Sequence, residues 1–142
     1  MHHAPTLEDQ QNFYLEEICP RADDLLRFCY SLSLTRTTAQ DLVSRVFTFA
    51  IENLHDFINA PSPLVSLLAK AWEYLPGSPE GVVNESHPIV SLMSPLSLDE
   101  RMAVIGLDIM SLGEKDCCLI TGWDVQSLQK HACNGRLKIL EF

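Results

Sequence analysis

The sequence predicts an all-α protein made of two small helical domains that a linker rich in proline and glycine joins. Apolar residues recur at three- and four-residue spacings along most of the chain, which is the period of an amphipathic helix. Strand-type alternation never extends beyond a few residues. Residues 76–88, PGSPEGVVNESHP, interrupt the helical pattern with turn-forming residues. We therefore predict a first domain at 1–75, a linker at 76–88 and a second domain at 89–142.

The first domain is predicted to contain four helices. The first covers residues 7–19, and the second starts at Arg21 with apolar residues on one face. The third runs from Thr37 to Phe57, where apolar residues recur at helical spacing and Thr37 with Gln40 predicts a capping box. The fourth covers residues 64–75 and stops before Pro76.

The second domain is predicted to begin with a short helix at 89–93. Ser97 and Glu100 form a second predicted capping box, which opens a helix. A short helix at 114–121 follows, Gly122 makes a turn, and Asp124 caps a final helix that ends at Leu140. The residues predicted to be buried in the capped helix and in the final helix are Met102, Val104, Ile105, Ile109, Val125, Leu128, Ala132 and Ile139.

Composition restricts the function classes. The chain of 142 residues has 10 Lys and Arg against 19 Asp and Glu, a net charge of −9 that disfavours tight nucleic-acid binding. Its apolar runs are too short to span a bilayer, and the N-terminus lacks a secretion signal, so we expect a cytoplasmic protein. The five cysteines and five histidines match no zinc pattern, and no catalytic motif occurs. We expect no enzyme activity, metal, cofactor or small-molecule substrate.

Two motifs resemble parts of sigma-70-type transcription initiation factors. Residues 39–47, AQDLVSRVF, resemble the A-x-D-L-V-Q-E-x-F helix of sigma region 2, especially in the extracytoplasmic-function (ECF) class. Residues 96–101, LSLDER, are similar to the L-P-x-x-x-R start of region 4, and residues 112–139 follow its helix-turn-helix spacing. The resemblance implies a region 2-like domain followed by a region 4-like domain.

The resemblance also implies a partner-binding surface. In the family, the region 2 helix binds the clamp helices of RNA polymerase through its polar face. The implied contact residues are Asp41, Leu42, Ser44, Arg45 and Thr48, with Trp72 on the following helix. Arg45 stands where the family has Glu, so a partner Arg would meet repulsion. Alternatively, Arg45 pairs with Asp41, four residues earlier, on a solvated face.

DNA contacts are expected to be weak. The helix that contains Trp72 continues with Glu73 and lacks the basic residues with which sigma factors read and melt promoters. The candidate DNA-binding residues of the final helix are Gln129, Lys130, His131, Asn134 and Arg136.

In these departures the chain resembles the sigma-like domain of PhyR-type general-stress regulators. That domain imitates a sigma factor and sequesters an anti-sigma factor. We therefore predict transcription regulation by a degenerate ECF sigma-like protein that binds an anti-sigma factor or a similar regulator. One alternative is an active ECF sigma factor that binds core RNA polymerase and promoter DNA. Another is a helical adaptor unrelated to transcription.

Overall fold

The protein is helical throughout the residues that its computed structural model describes, 6–75 and 87–141. No strand occurs within these ranges, so the predicted all-α class is confirmed. Most of the predicted linker, residues 76–86, lies outside the described residues, and the division into two domains stays a prediction. The helices are α1 Leu7–Phe13, α2 Ala22–Ser33, α3 Arg36–Glu52, α4 Leu54–Ile58, α5 Pro63–Tyr74, α6 Pro88–Met93, α7 Leu98–Val104, α8 Glu114–Thr121 and α9 Val125–Leu140.

Two of these helices continue as π-helical segments. Tyr14–Ile18 extends α1, and Ile105–Ile109 extends α7. A 3₁₀-helical turn, Cys19–Arg21, then leads into α2. In the π-helical form each turn holds an extra residue, so the faces of both helices rotate relative to a regular α-helix.

The side-chain caps predicted for α7 and α9 are confirmed. The Ser97 hydroxyl accepts a hydrogen bond from the Glu100 N–H at 3.2 Å, and the Glu100 carboxylate accepts one from the Ser97 N–H at 2.9 Å. The Asp124 carboxylate accepts from the Ser127 N–H at 2.7 Å. Both caps satisfy N–H groups that have no partner inside the helix.

The predicted capping box at Thr37 is wrong. Leu34 ends α2 in the left-handed conformation, with φ of 62°, and Thr35 is already the N-cap residue of α3. Thr37 therefore lies inside the first turn and cannot cap it. The same helix also ends earlier than predicted, because Asn53 leaves the helical conformation and its side-chain amide donates to the Phe49 carbonyl at 2.9 Å.

One buried apolar cluster includes residues from both sides of residues 76–86. α2 packs on α3 and α5, and it also contacts α6 and α7. α5 packs on α8, where the rings of Trp72 and Trp123 meet edge to face at 5.7 Å. A second cluster lies between α7, α8 and α9 and consists of Ala103, Cys117, Leu128 and Ala132.

Arg101, on α7, links α6 and α2 through a buried guanidinium. The residue is 7% exposed. Its Nε donates to the Met93 carbonyl at 3.0 Å, and its Nη1 donates to the Leu32 carbonyl at 2.9 Å. Both carbonyls lie in the last turns of helices, α6 and α2, where intrahelical donors run out and the helix dipole favours a cation. Burial lowers the pKa of Arg101, yet a guanidinium keeps its proton in proteins.

Gly135 marks a close approach between α9 and α7. A Cβ at this position would lie 2.8 Å from Val104 Cγ2 and 3.3 Å from the Glu100 carbonyl oxygen. A glycine inside a helix costs about 1 kcal/mol relative to alanine. Here it allows the two helices to approach more closely than any larger residue would.

No helix within the described ranges combines the length and the apolar character needed to cross a bilayer.

The first prediction concerns Arg101. Arg101→Met should lower the free energy of unfolding by about 2–3 kcal/mol, because the buried Leu32 carbonyl loses a charged donor. Urea unfolding measures the change. The matched control is Arg27→Met, since Arg27 is exposed on α2 and its replacement should change stability by less than about 0.5 kcal/mol. Equal unfolding midpoints for the two variants would contradict the role of Arg101.

The second prediction concerns Gly135. Gly135→Ala should lower the free energy of unfolding by about 1–2 kcal/mol, because the added methyl group overlaps Val104 and outweighs the gain in helix propensity. Thermal unfolding measures it. Gly113→Ala is the control, because a Cβ at Gly113 meets nothing within 4 Å. A stabilised Gly135→Ala variant would show that the two helices can move apart without cost.

Candidate partner-binding surface and recognition helix

The polar face of α3 is exposed at four of the five predicted positions. Asp41, Ser44, Arg45 and Thr48 all lie on the solvent side of the helix. Leu42 is the exception. Its side chain is 1% exposed and belongs to the buried cluster, so it supports the helix from below and does not face a partner.

Three of the exposed residues line one depression of about 260 Å³, which lies between α3 and the end of α5. Sequence reasoning missed the other half of its lining. Phe49 and Glu52 follow Arg45 and Thr48 by one turn of the same helix, so helical spacing contained a signal for them. Tyr74 comes from another helix, and no spacing rule places it here. The depression is lined by Ser44, Arg45, Thr48, Phe49, Glu52 and Tyr74.

Arg45 makes a cation–π contact with an aromatic ring. Its guanidinium carbon lies 4.6 Å from the centre of the Tyr74 ring. Lys70 takes a similar position over Phe49 at 4.0 Å and also pairs with Glu73 at 2.9 Å. An Asp41–Arg45 ion pair, the alternative expected from the sequence, does not occur among the described residues.

This contact has a chemical consequence for the depression. A guanidinium above a ring is attracted to the ring face, while its N–H groups can still donate hydrogen bonds. Two parallel N–H groups match the two oxygens of a carboxylate. The depression therefore offers a donor for an acidic side chain of a partner.

Trp72 is separate from this depression. It is half-buried against Trp123, in the turn between α8 and α9, and the Trp123 ring lies 4.8 Å from the His131 ring. The six residues predicted to bind a partner are thus distributed over three places: the exposed face of α3, the core, and the contact between α5 and the turn that joins α8 to α9.

On α9, three of the five candidate DNA-binding residues contact acidic groups of the same chain. Arg136 forms two hydrogen bonds with Asp108, at 2.8 and 2.7 Å. The Gln129 amide donates to the Glu114 carboxylate at 3.0 Å. The His131 Nε2 lies 4.0 Å from an Asp99 oxygen. Two candidates, Lys130 and Asn134, are exposed with no acidic contact among the described residues.

The Arg136–Asp108 pair changes the ionisation of both groups. The hydrogen bond from Arg136 lowers the pKa of Asp108, and the same bond raises the pKa of Arg136. The charged form of the pair is therefore the stable one at neutral pH. Asp108 lies 28 positions before Arg136 in the sequence, so no local pattern indicates the pair.

A further ion pair holds the end of α9 against α7. Lys138 Nζ lies 2.6 Å from a Glu100 oxygen. Burial alone would raise the pKa of Glu100, but hydrogen bonds from Lys138 and Ser97 outweigh it, and the pKa is lowered. No group of three or more His, Cys, Asp or Glu residues that could hold a metal ion occurs in the described part of the chain.

The chain matches no protein-family model and no curated protein. It is similar to a solved structure from Bartonella quintana, the anti-anti-sigma factor PhyR in complex with the anti-sigma factor NepR. The TM-score is 0.68 at 15% sequence identity, over 94% of this chain and 49% of that chain. The chain thus spans about half the length of the PhyR chain that it matches. At this identity the likeness shows the fold, which is sigma-like.

The third prediction concerns Glu100 and pH. Because the pKa of Glu100 is lower in the folded than in the unfolded protein, its contribution is present above the unfolded value of about 4.3 and is lost as pH falls through the folded value. The unfolding free energy of the wild type should therefore fall more steeply below about pH 5 than that of Glu100→Gln. Urea unfolding across this pH range measures it. Parallel curves for the two proteins would contradict the assignment.

Proposed function

We propose that the chain is a regulator of transcription that uses a sigma-like fold to bind an anti-sigma factor and does not engage promoter DNA. The sigma-like fold supports the general class. The single observation that carries the proposal further is the pairing of α9 with acidic groups of its own chain, above all the bond between Arg136 and Asp108.

DNA binding draws most of its affinity from cations that neutralise phosphates and release counterions. On α9, Asp108 already neutralises Arg136, and it would repel an approaching phosphate. Asp99 and Glu114 add two further carboxylates beside residues of the same face. A net charge of −9 opposes association with DNA at longer range. Each effect favours a protein partner over a nucleic acid.

The polar face of α3 is the surface that we assign to the partner. It exposes Asp41, Ser44 and Thr48, and it presents the guanidinium of Arg45 above the Tyr74 ring. PhyR, which shares the fold, is bound to an anti-sigma factor in the solved complex. We assign an acidic side chain of the anti-sigma factor to the edge of Arg45.

An active ECF sigma factor is the second candidate. The observation that favours it is the exposure of Lys130 and Asn134 on α9, because both can reach a phosphate or a base edge. Recovery of stoichiometric core RNA polymerase with the purified protein from its own cell lysate would support this candidate. Recovery of an anti-sigma factor without polymerase would support the proposed one.

The fourth prediction tests the α3 surface. Arg45→Glu should weaken binding of the purified anti-sigma factor about tenfold or more, because a carboxylate of the partner then meets a like charge. Isothermal titration calorimetry measures the affinity. Lys115→Glu is the control, since it makes the same charge change at an exposed position of α8. Equal affinities for the two variants would exclude the α3 face.

The fifth prediction tests the self-pairing of α9. Replacing its acidic partners, by Asp99→Asn, Asp108→Asn and Glu114→Gln together, should increase DNA binding and steepen its salt dependence. The control variant removes three exposed acids elsewhere, by Glu16→Gln, Asp23→Asn and Asp56→Asn. Both variants change the net charge from −9 to −6, since three carboxylates are lost in each. Fluorescence anisotropy with a labelled duplex measures binding.

Two results would overturn the proposal that α9 does not bind DNA. One is tight binding of a duplex by the wild type, with a salt slope that Arg136→Ala flattens. The other is an equal gain in DNA binding for the two neutralised variants, which would show that net charge alone decides the outcome.

A further inference from the structure

A second surface of the protein is apolar and open. It is a groove of about 520 Å³ between α1 with its π-helical extension, the end of α3, and α4. Five apolar side chains contribute to its lining, and two glutamines of α1 complete it. The apolar lining residues are Leu7, Tyr14, Leu15, Ile51 and Leu54. This groove is distinct from the depression at Arg45, with which it shares no lining residue.

Three of its side chains are more exposed than burial in a core would allow. Leu7 is 71% exposed, Leu15 63% and Ile51 54%. Single exposed apolar residues are ordinary on protein surfaces, but a contiguous apolar groove marks an interaction site. Tyr14 fixes the floor on one side, because its ring packs edge to face on Phe47 at 6.4 Å.

The two segments that supply the groove's lining carry acidic charge in the sequence, and Arg45 and Lys70 stand just outside the second segment. Residues 6–20 and 46–69, which supply its whole lining, contain no lysine or arginine. The nearest arginine along the chain after α1, Arg21, lies 3.9 Å from Glu17. The acidic residues of these two segments are Glu8, Asp9, Glu16, Glu17, Glu52 and Asp56.

We propose that this groove binds an amphipathic helix of a protein partner, whose apolar stripe enters the groove and whose flanking residues are lysine or arginine. The apolar lining selects residues at the i, i+3, i+4 and i+7 positions of a helix, which is the usual pattern of helix-in-groove recognition. The acidic flanks select the charge of the residues beside that stripe. The lining residues of α1 and its extension, 7–15, span about 12 Å, so about two turns of a partner helix are in contact.

Charge also argues against a symmetric dimer through this groove. In a two-fold contact the same surface meets itself, and the acidic flanks of both copies would then face each other. The inference goes beyond the proposed function, because it concerns a different surface and does not depend on the anti-sigma assignment. The two surfaces are neighbours, since Ile51 follows Thr48 by three positions on α3.

A synthetic peptide tests the proposal with the full chain. The probe is a labelled helical peptide of leucine and lysine, with leucine at the four positions named above. The comparison peptide has the same composition in scrambled order. Fluorescence anisotropy at about 0.3 M salt, where the Debye length is below about 8 Å, limits non-specific attraction to an acidic protein. The ordered peptide should bind about tenfold or more tightly than the scrambled one.

Leu15→Gln and Ile51→Gln should each weaken binding of the ordered peptide about tenfold or more. Both residues are exposed, so neither change should unfold the protein, and circular dichroism checks this. The control is Leu137→Gln, which alters a similarly exposed leucine, 53%, on α9 and should leave binding unchanged.

Three outcomes would overturn the proposal. They are equal binding of the ordered and scrambled peptides, equal effects of Leu15→Gln and Leu137→Gln, and self-association in sedimentation that Ile51→Gln abolishes. The last outcome would assign the groove to a second copy of the chain. Because Arg45 lies outside the groove, loss of anti-sigma binding in Arg45→Glu with unchanged peptide binding separates this inference from the proposed function.

Discussion

The packing of α2, α6 and α7 depends on one buried cation, Arg101. Arg101 donates to the ends of α2 and α6, and these helices lie on opposite sides of residues 76–86 in the chain. A neutral side chain of similar length could fill the same space but could not supply two directed donors. The fold therefore places a charge where burial is unfavourable, and two helix termini offset that cost. The packing of α7 against α2 and, through α7, of α9 depends on this arrangement.

Charged contacts within the chain also hold α9 in place. Arg136 and Lys138 hold α9 against the preceding helical segments through Asp108 and Glu100, and these bonds occupy cations that a DNA-binding helix would leave free. Gly135, between them, brings α9 close to α7. Residues that could contact DNA from α9 thus also contribute to the packing of this helix on its own chain.

Much of the fold follows from local sequence, and the candidate sites follow only in part. Apolar spacing predicted the helices, and Ser97 and Asp124 predicted two of their caps, because these signals act within a few residues. Ile109 and Val125 were predicted to be buried but are 40% and 46% exposed. The π-helical segment shifts the face that periodicity assigns to Ile109, and Val125 lies at the first position of α9. The exposed face of α3 was predictable from the motif. The cation–π contact of Arg45 with Tyr74 joins residues far apart in sequence and depends on how α5 packs, which no spacing rule supplies.

The edge-to-face contact of Trp72 with Trp123 has a spectroscopic consequence. These are the only two tryptophans in the sequence, and they meet where α5 approaches the turn before α9. Intrinsic tryptophan emission from the native protein therefore arises at one contact, between α5 and the turn that joins α8 to α9. A partner that moves this turn away from α5 would change the surroundings of both indoles at once. The chain thus carries its own optical reporter of that movement, without any added label.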